Sequence, residues 1–178
     1  MKRVLILGGG FGGVYASRRL GPRVKGRTAE VTLVSRDNYF VMTPLLFEAA
    51  SGVIEFRHAV NPVRPLMCCT DFVNATVERV DLAGREVFAR SRAGDEYRLP
   101  YDHLVLALGG VTNTFRTPGS EYALAFKTVR DAVAIRNRVI EAFERADAEP
   151  DPTRPAGGRR SRSWSSAAGW SGASWSAS

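Results

Sequence analysis

The residues whose type and spacing bear most directly on chemistry are glycines, arranged as Gly8-x-Gly10-x-x-Gly13 in the stretch RVLILGGGFGG that runs from Arg3 to Gly13. A short apolar run, Val4-Leu5-Ile6-Leu7, stops at them, and small helix-compatible residues from Val14 to Ser17 follow. In this setting each glycine has a physical job. The first lets a buried strand turn sharply, the second lets backbone N–H groups approach a pyrophosphate, and the third lets the following helix pack against the strand. Negative phosphates are favoured at the new helix's N-terminus, where unpaired N–H groups and the helix dipole both attract anions. The pattern predicts binding of a dinucleotide, in preference to a strand-to-helix turn without a ligand.

Other chemistries find less support. Cys68 and Cys69 are the only cysteines and are adjacent, so a bridge between them is strained, and no Cys-x-x-Cys pair exists. The two histidines, His58 and His103, form no metal-binding pattern. The formal charge is +7, of which residues 151–178, with four arginines and one aspartate, carry +3. The remaining charges of both signs are interleaved along the body, the pattern of a solvated surface and not of a phosphate-tracking stripe, so nucleic acid is not expected as a partner. The N-terminal apolar run is too short for a signal sequence or a membrane span. The expectation is a cytoplasmic protein with reduced thiols.

The elements that must position the glycine loop follow from periodicity. A length of 178 residues with 44% apolar content suits one ordinary domain with a core. A helix is predicted from Gly12 to about Leu20, closed by Gly21-Pro22, followed by a second buried strand, Glu30–Val34. Strand, glycine loop, helix and strand make the first βαβ unit of a doubly wound parallel sheet. The end of the second strand, where an acid normally holds the adenosine ribose, carries Ser35, Arg36 and Asp37. Thr43 is expected as N-cap of a short apolar helix with Pro44 at its first position and Gly52 at its end. Pro62 and Pro65 leave room for at most one short helix between Ile54 and Met67. From Asp71 the pattern alternates, which predicts a three-stranded β-meander over Phe72–Val80, Glu86–Ala89 and Tyr97–Leu99. Tyr101–Gly110 reads as a third buried parallel strand ending in glycines, with His103 a structural residue at its far end. Thr128-x-x-Asp131 is an approximate capping box opening an amphipathic helix to about Ala148.

In this order the segments RVLILGGGFGGVYASRRL, VTLVSRDNYFVMTPLLFEAASG, YDHLVLALGGVTNTF and FKTVRDAVAIRNRVIEAFERA resemble the type II NADH dehydrogenases (NADH:quinone oxidoreductases), within the wider pyridine nucleotide-disulphide oxidoreductase-like flavoproteins. The resemblance covers nearly all of residues 1–150. It implies an α/β, Rossmann-like FAD-binding domain, a parallel sheet with the meander inserted, present as the N-terminal part of a longer pattern. By resemblance, Gly8, Gly10, Phe11, Gly12 and Gly13 cradle the FAD pyrophosphate, and Ser35 and Arg36 take the adenosine end. Val77 approaches the adenine through its backbone. Thr43, Pro44 and Leu45 lie near the isoalloxazine, with Ala107, Leu108 and Gly109 as a second flavin-contacting turn. The implied reaction is hydride transfer from NADH to the flavin and then reduction of a quinone, with no side chain required as a catalytic acid or base. Gly110 stands where the family's second turn usually has a serine, and no Cys-x4-Cys follows the glycine loop, which separates the chain from the disulfide reductases. Other FAD- and NAD(P)-dependent reductases of the superfamily, or a non-catalytic dinucleotide-binding module, are the alternatives.

In the family a second glycine loop for NADH follows the last helix, and then a segment that completes the FAD domain and often contacts the membrane peripherally on its cytoplasmic face. Residues 151–178 instead form a Ser/Ala/Gly/Arg/Trp tract without periodicity, expected as a low-complexity disordered tail. G+C-rich codons for Arg160–Gly172, read from the third base, yield Val-Ala-Val-Val-Val-Val-Gly-Gly-Gly-Leu-Val-Gly, an apolar strand entering a second Gly-x-Gly-x-x-Gly. A frameshifted start of the NADH-binding domain, with the shift between about Pro152 and Arg160, is therefore expected. So are three parallel strands, an uncovered apolar face, weak or no FAD retention and no NADH oxidation by this chain alone.

Overall fold

The computed structural model describes residues 1–24, 26, 29–113 and 117–148, so the expectations for the tail at 151–178 fall outside the described residues. Strand β1 (Lys2–Leu7) leads through the glycine loop into helix α1 (Phe11–Val24), and strand β2 (Ala29–Ser35) follows. β1 and β2 pair in parallel with Leu7 opposite Val34, which is the βαβ unit that the spacing predicts. The hairpin-like pair β3 (Tyr39–Val41) and β4 (Val60–Pro62) encloses a 3-10 turn (Thr43–Leu45) and the short helices α2 (Leu46–Ser51) and α3 (Phe56–Ala59). After α4 (Val63–Leu66) come β5 (Asp71–Asn74), β6 (Thr76–Asp81), β7 (Glu86–Arg90), β8 (Glu96–Pro100) and β9 (His103–Leu106), and then α5 (Val129–Ala148).

The parallel sheet has the order β5-β2-β1-β9 and the antiparallel meander the order β6-β7-β8. β1 feeds both faces of the parallel sheet, as a period of two requires. Leu5 and Leu7 join Val34, Val87, Ala89 and Tyr101 beneath the meander, while Ile6 joins Val14, Val31, Leu33, Phe40 and Val63 beneath α1. The central sheet is thus the middle of three layers. A smaller cluster of Leu46, Ala59 and Ala132 docks α2 and α3 against the head of α5.

Several expectations are corrected. α1 does not stop at Gly21-Pro22 but runs to Val24 with Pro22 inside its last turn. Gly21 is there for contact and not as a stop: a Cβ would lie 2.4 Å from the Cys68 carbonyl oxygen and 2.7 Å from Thr70 Oγ1. Thr43 is not an N-cap. Met42 holds that position without a side-chain cap, and Thr43 and Pro44 are the first residues of the 3-10 turn. The alternating run after Asp71 is two strands. Ala75, buried between them, donates its N–H to the Ser35 carbonyl (3.0 Å) as the chain leaves the parallel sheet for the meander. The parallel sheet therefore holds four strands, and the proline-broken stretch holds two short helices and a strand. β9 is an edge strand, half-buried at best, with Leu106 64% exposed. The expected uncovered apolar surface is present here and on α5, where Val139 and Ile140 are exposed.

Candidate functional site

In the order β5-β2-β1-β9 the chain moves from β1 to β2 on one side, and β9 arrives on the other. The C-terminal ends of β1 and β9 therefore part at a topological switch point, where open parallel sheets form their ligand crevice. Leu7 sits opposite Leu106, so both strands end level with each other.

The backbone interlocks across that point. Gly8 donates its N–H to the Val34 carbonyl at 2.8 Å, and Ala107 donates to the Leu7 carbonyl at 2.8 Å. Gly8 has φ +109°, and a Cβ on it would lie 2.2 Å from the Ala107 carbonyl oxygen. No other residue satisfies both the left-handed backbone and the contact. Gly13 is as constrained by packing, since its Cβ would lie 1.7 Å from the Gly8 carbonyl oxygen. Gly12 is looser, 3.4 Å from the Ala107 methyl. Gly10 differs from all of these. Its carbonyl accepts the first bond of α1, from Val14 N–H at 3.0 Å, yet a Cβ there would meet nothing within 4 Å. The fold needs Gly8 and Gly13, and it leaves the space over Gly10 open. That space lies at the start of α1, whose first turn carries no acidic side chain, so the helix itself puts no negative charge where its head favours an anion.

The neighbouring elements are anchored by contacts. Phe11, 40% exposed at the start of α1, meets Phe40 of β3 edge to face, with centroids 4.8 Å apart and planes at 76°. Three residues beyond Phe40 the exposed Thr43 and Pro44 open the 3-10 turn, with Leu45 half-buried. On the β2 side Ser35 is buried beneath the loop, its Oγ 2.6 Å from where a Cβ on Gly9 would stand. Arg36 is exposed and pairs with Asp37, Nη2 to Oδ2 at 3.1 Å. Val77, half-buried on β6 just past the Ala75 crossing, precedes a bulge in its pairing with β7.

The second turn has its own fastening. Gly109 takes φ +77°, and the Lys127 ammonium donates to the Gly110 carbonyl. Lys127 is held in turn by the head of α5. Asp131 Oδ2 accepts from Lys127 N–H at 3.0 Å and Thr128 N–H at 2.8 Å, while Asp131 N–H donates to Thr128 Oγ1 at 3.2 Å. This is the reciprocal box that the sequence predicts. The Thr128 N–H, the Thr128 hydroxyl and then the Lys127 N–H hold the Asp131 carboxyl below the usual carboxylate range.

The structure brings Gly8, Gly10, Phe11, Gly12, Gly13, Ala107, Leu108 and Gly109 to one edge of the sheet, with Ser35 and Arg36 at the neighbouring strand end. Sequence reasoning missed Asn74, whose side-chain amide donates to the carbonyls of Ser35 (3.0 Å) and Arg36 (2.9 Å) and so fixes the exit of β2. It also missed Gly9, Phe40 and Lys127. Among the described residues no group of three or more His, Cys, Asp or Glu side chains is placed to hold a metal ion. Among them, too, no helix is long and apolar enough to cross a membrane.

Residues 2–146 match the pyridine nucleotide-disulphide oxidoreductase family. An external alternative NAD(P)H-ubiquinone oxidoreductase B2 of Arabidopsis thaliana mitochondria is 36% identical over 155 residues, 82% of this chain and 26% of that protein. A type II NADH:quinone oxidoreductase of Mycobacterium tuberculosis is 33% identical over 158 residues, 86% of this chain and 33% of its own length. Among solved structures, NDH2 of Plasmodium falciparum superposes with a TM-score of 0.71 at 26% identity, covering 86% of this chain and 31% of that one. The sulfide:quinone oxidoreductase of Aquifex aeolicus gives 0.64 at 26% identity, over 81% of this chain and 33% of that one. The chain thus spans about a quarter to a third of these relatives. With the matched family model extending over residues 2–146, the glycine-bounded crevice belongs to a member of the pyridine nucleotide-disulphide oxidoreductase family whose relatives include the type II NADH:quinone oxidoreductases.

Proposed function

We propose that the crevice between the Gly8–Gly13 loop and the Ala107–Gly109 turn holds FAD, and that the protein of which this crevice is part moves a hydride from NADH to the flavin and electrons on to a quinone. The observation that carries the reading is the unequal use of the glycines. Gly8 and Gly13 are consumed by internal contacts, whereas the absence of a side chain at Gly10 serves nothing inside the fold and keeps the head of α1 open. A diphosphate at that head receives backbone N–H groups and the positive end of the helix.

The remaining residues are assigned by where they stand around that anchor. Phe11, braced by Phe40, closes one side of the diphosphate and limits water. Ser35 and Arg36, at the exit of β2, face the adenosine end, with Arg36 steadied by Asp37 and the backbone of Val77 beside the adenine. Thr43, Pro44 and Leu45 border the ring end opposite Ala107, Leu108 and Gly109. When bound, the isoalloxazine supplies the hydride acceptance and the passage of electrons to the quinone, and the side chains named here position it without acting as acids or bases. The quinone as acceptor rests on relatives named for quinone reduction.

Because the chain spans only part of the length of those relatives, the 178-residue chain by itself is expected to hold FAD weakly and to oxidise no NADH. The test is a titration of the chain with FAD followed by quenching of flavin fluorescence. Saturable quenching that Gly10→Ala removes supports the assignment. Quenching unchanged by that substitution places the flavin elsewhere and ends it.

A further inference from the structure

At the opposite end of the parallel sheet from the glycine loops, the turn between α4 and β5 carries Cys68 and Cys69, both thiols. Their Sγ atoms lie 3.0 Å apart, in contact on one side of the turn. Cys69 has φ +64°, a left-handed conformation that a β-carbon disfavours, and this backbone accompanies the convergence of the two sulfurs. Cys68 is exposed, and Cys69 lines a cavity of about 390 Å³ open to solvent, together with Met1, Gly26, Glu30, Thr70 and Asp71. The turn is rigidly backed, because the Cys68 carbonyl packs against Gly21 on α1 with no room for a Cβ between them.

Two partners suit a pair of thiols held this way, and geometry separates them. A disulfide wants Cα atoms about 4.4–6.8 Å apart, whereas neighbours in a trans chain stand at about 3.8 Å. Closing the sulfurs on each other therefore strains the turn. A larger, soft centre that bonds both sulfurs at once demands no such closure, and soft thiolate donors prefer soft centres. A conventional metal cage is also unsupported, since Glu30 and Asp71 line the cavity without forming, with the sulfurs, a group of three or more side chains placed to hold a metal ion, and no such group is found among the described residues.

We propose that Cys68 and Cys69 form a dithiol site for trivalent arsenicals and related soft, thiophilic electrophiles, which bridge the two sulfurs. With an organoarsenic oxide the step is R–As=O plus two S–H giving R–As(S)2 plus water. Two As–S bonds form, both thiol protons leave with the oxo oxygen, and arsenic stays trivalent, so no oxidant or reductant enters. The site is independent of the dinucleotide crevice and lies at the other end of the strands.

The chain has no other cysteine, so the test reads cleanly. The whole chain is treated with one equivalent of phenylarsine oxide, and thiols are counted with a chromogenic disulfide reagent while intact mass reports the adduct. The expected result is loss of both thiols with a single arsenical bound. The adduct should resist excess monothiol such as glutathione and yield to a dithiol such as dithiothreitol. Cys68→Ser and Cys69→Ser should each bind at least about 100-fold more weakly, the ordinary gain from making the second bond intramolecular. Release of the wild-type adduct by excess glutathione, or binding of two arsenicals per chain, overturns the proposal. The wild-type competition stands without the variants should either fold poorly.

Discussion

Substituting Gly10 and Gly13 separately by alanine should separate a ligand glycine from a packing glycine. At Gly13 the added methyl would stand 1.7 Å from the Gly8 carbonyl oxygen and 3.3 Å from Leu33 Cδ1. The first neighbour is backbone, and it is itself fixed, because Gly8 is bonded to Val34 and pressed on Ala107. α1 must lift from β1 by more than an ångström, an overpacking cost of about 3 kcal/mol or more. The reduced freedom of the unfolded chain returns only about 0.4–1 kcal/mol. With a urea slope of about 2 kcal/mol/M, the unfolding midpoint should fall by roughly 1 M or more. At Gly10 nothing lies within 4 Å, and no positive φ is required. Alanine at this helix-capping position costs about 0.5–1 kcal/mol relative to glycine, and the unfolded-state gain of about 0.4–1 kcal/mol cancels it. The midpoint should move by less than about 0.3 M. FAD affinity should nevertheless drop by at least about tenfold, equivalent to 1.4 kcal/mol, because the methyl occupies the approach to the helix head. Urea melts followed by circular dichroism, together with the flavin titration, read both quantities. If Gly10→Ala destabilises the chain as much as Gly13→Ala, or leaves flavin binding untouched, the division of labour drawn from the contacts is wrong.

Three further outcomes follow from the same contacts. Lys127→Met removes the ammonium that holds the Gly110 carbonyl; stability should fall by about 0.5–1.5 kcal/mol and FAD should bind several-fold more weakly, and unaltered binding would detach the second turn from the site. The Asp131 carboxyl, lowered by the N–H groups it caps, should add stability that is complete above the unfolded carboxylate value near 3.9 and is lost as pH falls through its lower folded value. Wild type and Asp131→Asn should therefore converge in thermal stability at the acid end of a pH series, and a difference that stays constant across pH would show that the box is not charge-assisted. Gly21→Ala places a methyl 2.4 Å from the Cys68 carbonyl oxygen; a loss of about 2–3 kcal/mol is expected in the urea melt, whereas an unchanged midpoint would mean that α1 ends at Gly21-Pro22 after all.

What could be read in advance divides along physical lines. The glycine spacing, the apolar run of β1 and the box at Thr128 are local: their information lies within a few residues, where sterics and hydrogen bonding act on neighbours. The βαβ unit and the meander followed because each joins elements that are adjacent in the chain. Two of the failures are cases in which a distant contact decides what a local pattern means. Gly21-Pro22 has the chemistry of a helix stop, but the Cys68 carbonyl, far along the chain, is what requires the glycine. The alternation after Asp71 continues through Ala75, so periodicity alone sees one strand. The division comes from Ser35, whose carbonyl takes the Ala75 N–H and marks the last residue the parallel sheet can pair. Asn74 and Lys127 carry no motif at all, because they act on backbone carbonyls, Asn74 on those 39 and 38 residues away and Lys127 on one 17 residues away. A carbonyl partner leaves no residue type to recognise. The glycines of one loop, to which the spacing assigns separate jobs, also differ in the fold: the contacts that claim Gly8 and Gly13 come from Ala107 just past β9 and from the loop's own return, and Gly10, which they leave unclaimed, is open to a ligand.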